Sequence, residues 1–164
     1  MTDFIIGRKI QIAVVGCGRI ACKHFEAIAA HSDSLELVVV CDSDRETVER
    51  VAAERGVPGF RSMREMLESV QIDLVALCTP SGLHPEEAVL AASYGVHVMT
   101  EKPMATRWGD GVRMVKACDK AGVHLFVVKQ NRRNATLQLL KRAVAEKRFG
   151  RIHMVHLNVF WTRP

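Results

Sequence analysis

The sequence predicts an α/β fold, a doubly wound parallel sheet, from the alternation of its patterns. Short apolar runs rich in β-branched residues alternate with helix-like stretches along most of the chain. The runs are nearly continuous rather than polar at every second position, as in strands buried on both faces beneath helices. At 164 residues, 48% hydrophobic and 25% charged, the chain has room for one core and ordinary globular composition.

The elements follow in order. Residues 10–15 form a first strand ended by Gly16, and residues 20–30 a helix. Residues 35–40 form a second strand. Ser43, with Glu46 three residues on, has capping-box spacing and opens a helix that Gly56 closes. A third strand is expected around Phe60, and Ser62 with Glu65 repeats the capping box. Residues 74–78 form a fourth strand. Pro85 suits the first helical position, with Glu86 and Glu87 at the positive end of the helix dipole. Residues 96–100 form a fifth strand, residues 106–121 a helix ended by Gly122, and residues 125–128 a sixth strand. Asn134 caps a last helix reaching about Lys147.

After Gly150 the pattern changes. Val155, Leu157, Val159 and Trp161 alternate with His156, Asn158 and Phe160, the pattern of a half-exposed strand in an antiparallel sheet. The expectation is a first domain over residues 1–150 and, at residues 151–164, the first strand of a truncated second α+β domain. A strand alone is not stable, so this segment is expected to be disordered, folded back, or paired between molecules.

No run approaches the roughly 18 apolar residues of a membrane helix, and the N-terminus lacks a signal-peptide core. The expectation is a cytoplasmic protein without membrane insertion. Five cysteines, an odd number with no C-x-x-C pair, make neither a disulfide framework nor a zinc site. The histidines form no H-E-x-x-H, and no metal is expected. Much of the net charge of +5 lies late, at Lys129, Arg132, Arg133, Lys141, Arg142, Lys147, Arg148 and Arg151. No nucleic-acid motif accompanies it. A solvated helix face and the steering of a polyanionic small molecule both remain open.

Gly16-Cys17-Gly18-Arg19-Ile20-Ala21 is G-x-G-x-x-A between a strand and a helix, the context that gives this motif meaning. Gly16 permits a tight turn, Gly18 lets a pyrophosphate approach the backbone, and Ala21 lets helix and strand pack closely. The helix opening at Arg19 and Ile20 offers free N–H groups to phosphate. Asp42, 21 residues after Ala21, ends the second strand, where a carboxylate accepts from ribose hydroxyls and repels a 2′-phosphate. That favours NAD; Arg45 leaves NADP open. Ser43 adjoins it. Asp42 and His84 could also be helix caps alone. Thr79-Pro80-Ser81-Gly82-Leu83-His84 leaves the fourth strand, and Glu101-Lys102-Pro103 the fifth, at the same sheet edge. A lysine there can hold or donate a proton, although taken alone Lys102 reads as a surface lysine. Gln130, Asn131 and Arg132 follow the sixth strand at that edge.

Together, G-C-G-R-I-A, C-D-S-D, T-P-S-G-L-H and E-K-P resemble the Gfo/Idh/MocA oxidoreductases over nearly the whole chain. The resemblance implies an NAD-binding Rossmann domain followed by a domain built on a mostly antiparallel sheet. It implies that Lys102 is the catalytic lysine, that Thr79, Pro80, Ser81 and His84 line the dinucleotide, and that Glu101 lies near the nicotinamide ribose. The segments 128–134 and 158–164 are similar to those of family members that oxidise the C3 hydroxyl of UDP-N-acetylglucosaminuronate for lipopolysaccharide. That similarity implies an anionic nucleotide-sugar substrate, with Gln130 toward the cofactor and Asn131, Arg132 and Lys102 toward the substrate. Family members often form homo-oligomers through the second domain, which also carries a D-x-x-x-H-type histidine motif absent here. Another sugar or polyol dehydrogenase, of inositol type, and a non-catalytic dinucleotide sensor remain alternatives.

Overall fold

The computed structural model describes residues 5–160. Six strands form one sheet: β1 (Ile10–Val15), β2 (Leu35–Cys41), β3 (Gly59–Phe60), β4 (Leu74–Leu77), β5 (His97–Thr100) and β6 (Leu125–Val127). Their order is β3-β2-β1-β4-β5-β6, and every neighbouring pair is parallel. Helices α1 (Ala21–Ala30), α2 (Arg45–Arg55), α3 (Met63–Ser69), α4 (His84–Ser93) and α5 (Trp108–Ala121) occupy the connections. The expected doubly wound fold is present.

The apolar runs are explained by the core. Ala13 and Val15 of β1 join Val39, Val75, Leu77 and Val98 and the inner sides of α3, α4 and α5. Their chain neighbours Ile12 and Val14 join Val40, Ala76 and the inner sides of α1 and α2. Successive strand residues point to opposite faces, and here both faces are covered, so the buried positions of β1, β2 and β4 are apolar on either side. Met66, Leu77 and Met114 are fully buried, each stabilising by about 1.5–3 kcal/mol relative to exposure.

Two helix starts differ from the sequence reading. α2 is capped by Asp44, whose carboxylate accepts from Thr47 N at 2.8 Å, and not by Ser43. The carboxylate one residue nearer the helix is the stronger acceptor, and Asp42 accepts from Asp44 N at 2.9 Å, which fixes that turn. In α4, His84 is the first helical residue and Pro85 the second. The Ser62 cap of α3 and the left-handed Gly56 and Gly122 at the ends of α2 and α5 are as expected.

By its contacts the chain divides into two units, Met1–Val128 and Lys129–Pro164. The second holds a 3-10 turn (Gln130–Arg133) and α6 (Ala135–Ala145), which Asn134 caps through Thr136 N and Leu137 N. Residues 151–160 form no strand, although alternation anticipated one from Val155. Alternation says which side of a strand would be buried; it supplies no partner, and an unpaired strand leaves its backbone groups unbonded. Trp161 lies outside the described residues.

Candidate cofactor site

The winding of the sheet reverses at β1, with β2 on one side and β4 on the other. Open α/β sheets bind ligands in the crevice at the carboxyl ends of such strands. A cavity of about 560 Å³ opens there, lined among others by Gly16, Gly18, Asp42, Ser43, Thr79 and Pro80. Six of the sequence-predicted residues are thus brought together.

Gly16 sits at φ +86, and a Cβ there would lie 2.7 Å from Thr79 N and 2.8 Å from Cys78 C. Only glycine lets the turn after β1 pass so close to the end of β4. A Cβ on Gly18 would meet nothing within 4 Å, so its surface is open to a ligand. α1 starts at Ala21 with no side-chain cap on its first amides, and no acidic residue lies in its first turn. A helix start in this condition accepts phosphate well.

Asp42 is half-buried and accepts from Cys17 N at 2.7 Å as well as from Asp44 N. It therefore ties the end of β2 to the glycine turn. A carboxylate has about four acceptor positions, so capacity remains for ribose hydroxyls. Arg45, the residue that kept NADP open, pairs with Glu49 at 2.7 Å along α2. The arginine that lines the cavity is Arg61, whose Nε donates to Ser43 O at 3.2 Å. Sequence spacing did not single it out, because no motif marks the residue that follows β3.

Thr79 donates its hydroxyl to Glu87 Oε2 at 2.5 Å. Burial pushes the Glu87 carboxyl above the usual carboxylate range, while this bond and the nearby His84 oppose the shift. His84 is fully buried. Its Nε2 lies 2.9 Å from Thr79 O and its Nδ1 3.1 Å from Pro103 O, so it reaches the crevice through the backbone it holds. Ser81 is half-buried beside Pro80, and Arg19 and Ile20 are exposed at the entry to α1. Glu101 is buried, and Lys102 beyond it is exposed at the end of β5. Gln130, Asn131 and Arg132 belong to the second unit, where Asn131 and Arg132 line a shallow cavity of about 390 Å³ with Leu137, Gln138 and Lys141.

Sequence reading also missed His24. Its Nε2 lies 3.0 Å from Glu101 Oε1, both side chains being nearly buried. The contact spans 77 positions, beyond the reach of any local pattern. The thiols near the site are unreactive: burial pushes Cys17 up to about 11, and Cys41 and Cys78 up to about 12. Among the described residues no group of three His, Cys, Asp or Glu is placed to hold a metal ion, and no helix is long and apolar enough to cross a membrane.

Residues 10–129 match the family model of oxidoreductases with an NAD-binding Rossmann fold, GFO_IDH_MocA. The chain belongs to the Gfo/Idh/MocA family. Its backbone is similar to that of the WlbA dehydrogenase from Bordetella pertussis, solved with NADH and UDP-GlcNAcA. The TM-score is 0.92 at 58% identity, over 96% of this chain and 48% of that one. The D-apiose dehydrogenase of Paraburkholderia graminis is 31% identical over 95% of this chain and 40% of its own length. The myo-inositol 2-dehydrogenase of Thermotoga maritima is 28% identical over 91% and 45%. The chain therefore spans less than half the length of these relatives.

Proposed function

We propose that this chain is the NAD-binding part of a dehydrogenase that oxidises the C3 hydroxyl of a UDP-linked N-acetylated sugar acid, a step in lipopolysaccharide sugar biosynthesis. The observation that carries the reading is the 58% identity to a dehydrogenase bound to NADH and UDP-GlcNAcA. The open helix start, the bare Gly18 and the carboxylate of Asp42 fit a dinucleotide in chemistry and placement. On this reading residues 1–150 form the cofactor domain, and residues 151–164 lead into a substrate and oligomerisation domain.

NAD, when bound, supplies the hydride acceptor. The glycine turn and the amides of α1 hold the pyrophosphate. Asp42 accepts from the adenosine ribose and disfavours a 2′-phosphate. Lys102 orients the reacting hydroxyl and shares in moving its proton. Asn131, Arg132 and the basic residues after Val128 answer the negative charge of a nucleotide-sugar acid. The test is calorimetry with NAD and NADP, followed by an assay of the full-length enzyme on a UDP-sugar-acid panel. NAD is expected to bind at least about tenfold more tightly, or about 1.4 kcal/mol; equal affinities refute the role of Asp42. The D-apiose and myo-inositol relatives support a second reading, a dehydrogenase of free sugars or polyols, and turnover confined to those substrates establishes it.

A further inference from the structure

Lys102 is flanked by two residues that are each held by a histidine. On one side stands Glu101, whose Oε1 lies 3.0 Å from His24 Nε2. Its other oxygen, Oε2, accepts from the Lys102 backbone N–H at 3.2 Å. On the other side stands Pro103, whose carbonyl lies 3.1 Å from His84 Nδ1. The two histidines come from opposite faces. His24 sits on α1, which packs with one core cluster, and His84 heads α4, which packs with the other. His84 Nε2 also meets Thr79 O at 2.9 Å, which links the turn after β4 to the turn after β5.

Placing imidazoles here is unfavourable unless their nitrogens are bonded, and an apolar side chain would fill the same space without that demand. Neither ring is left without a partner among the described residues. Both spend their hydrogen bonds on the residues adjoining Lys102 or on the neighbouring turn, and none on the sheet. We propose that His24 and His84 are positioning residues that brace the Glu101-Lys102-Pro103 segment from the two faces of the sheet, fixing where Lys102 is presented. The proposal rests on the reading of Lys102 as the lysine of a dehydrogenase. His24 acts through the Glu101 carboxylate, and His84 acts through two backbone carbonyls, one taken by the N–H of the neutral ring and both by the imidazolium.

The experiment is residue-resolved amide hydrogen exchange on the 164-residue chain without cofactor. In His24→Leu the Lys102 amide is expected to exchange about tenfold faster or more, while amides in β1 and β4 keep their rates. His24→Gln retains an N–H donor for Glu101 and is expected to restore slow exchange. His84→Leu is expected to speed exchange in residues 81–83 and at Lys102 and Met104 together. If His84→Leu does not fold, the His24 pair of variants decides. An unchanged Lys102 rate in His24→Leu, a glutamine variant no slower than the leucine one, or a rise spread evenly over the sheet overturns the proposal. Exchange is measured without NADH, so it is independent of the functional reading. A wild-type chain that fails to bind NADH refutes that reading and leaves the bracing result as it stands.

Discussion

The two ends of the parallel sheet use the same kinds of side chain for different ends. At the amino edge, Asp73 pairs with Arg8 at 2.6 Å and accepts from Gln11 N at 2.8 Å, while His97 Nδ1 accepts from His124 N at 3.0 Å. These bonds tie together the starts of β1, β4 and β5. At the carboxyl edge, Asp42, Glu87, Glu101 and His84 are also bonded, and Asp42 and Glu87 line an open cavity. Charge at the first edge ties the sheet together. Charge at the second, at Asp42 and Glu87, stands along the wall of a cavity. Substitutions at the two edges should therefore separate function from stability.

The largest effect is expected at Lys102. Lys102→Ala in the full-length enzyme should lower kcat by about a hundredfold or more, with NAD affinity little changed. Near-normal turnover would return Lys102 to the status of a surface lysine. Next comes Gly16→Ala. Its Cβ would stand 2.7 Å from Thr79 N at φ +86, so the turn must move. The strain is about 1–3 kcal/mol, and NAD titration should show a weakened site. Unchanged NAD affinity would mean that the turn is not part of the phosphate cradle.

The amino edge should respond to pH rather than to cofactor. Asp73 is held below the usual carboxylate range, chiefly by its bond from Arg8. A carboxylate with a lowered folded pKa contributes stability above its unfolded value, about 3.9, and loses it as pH falls through the lower folded value. Asp73→Ala should thus destabilise by about 1–3 kcal/mol at neutral pH, and the difference from wild type should shrink below about pH 4. His97 is depressed by burial and then by His124. The unfolded chain then binds its proton first, so stability should begin to fall as pH drops below about 6.5. Denaturation curves across pH 3–8 check both signs, and NAD affinity of Asp73→Ala should match wild type.

The legibility of these two edges in the sequence differed for a physical reason. Gly16, Gly18, Asp42 and Lys102 stand in short motifs whose spacing is set by a local turn or strand end, so they could be read directly. The partners that hold those motifs could not. His24 meets Glu101 across 77 positions, and Arg61 reaches the cavity only because the two-residue β3 aligns with the end of β2. Asp44 displaced Ser43 as a cap because two adjacent acceptors compete for one helix start, and composition alone does not rank them.

The smallest effect should come from the chain beyond both edges. Among the described residues every buried apolar residue lies at or before Val123, and from 129 to 160 none is buried. Met154, Val155, Leu157, Val159 and Phe160 are all exposed. Among the described residues, none from Ile152 to Phe160 is buried or takes part in either set of edge bonds, so deletion from Ile152 onward is expected to leave the core and both edges in place. It should change stability by less than about 0.5 kcal/mol, or roughly 1–2 °C in Tm. Exposed alternating residues can also pair between molecules, so the deletion is expected to remove any concentration-dependent rise in solution mass. Thermal melts and light scattering of the two chains decide. If the shortened chain unfolds, residues 152–164 belong to the core of the first domain, and the boundary near Gly150 is misplaced.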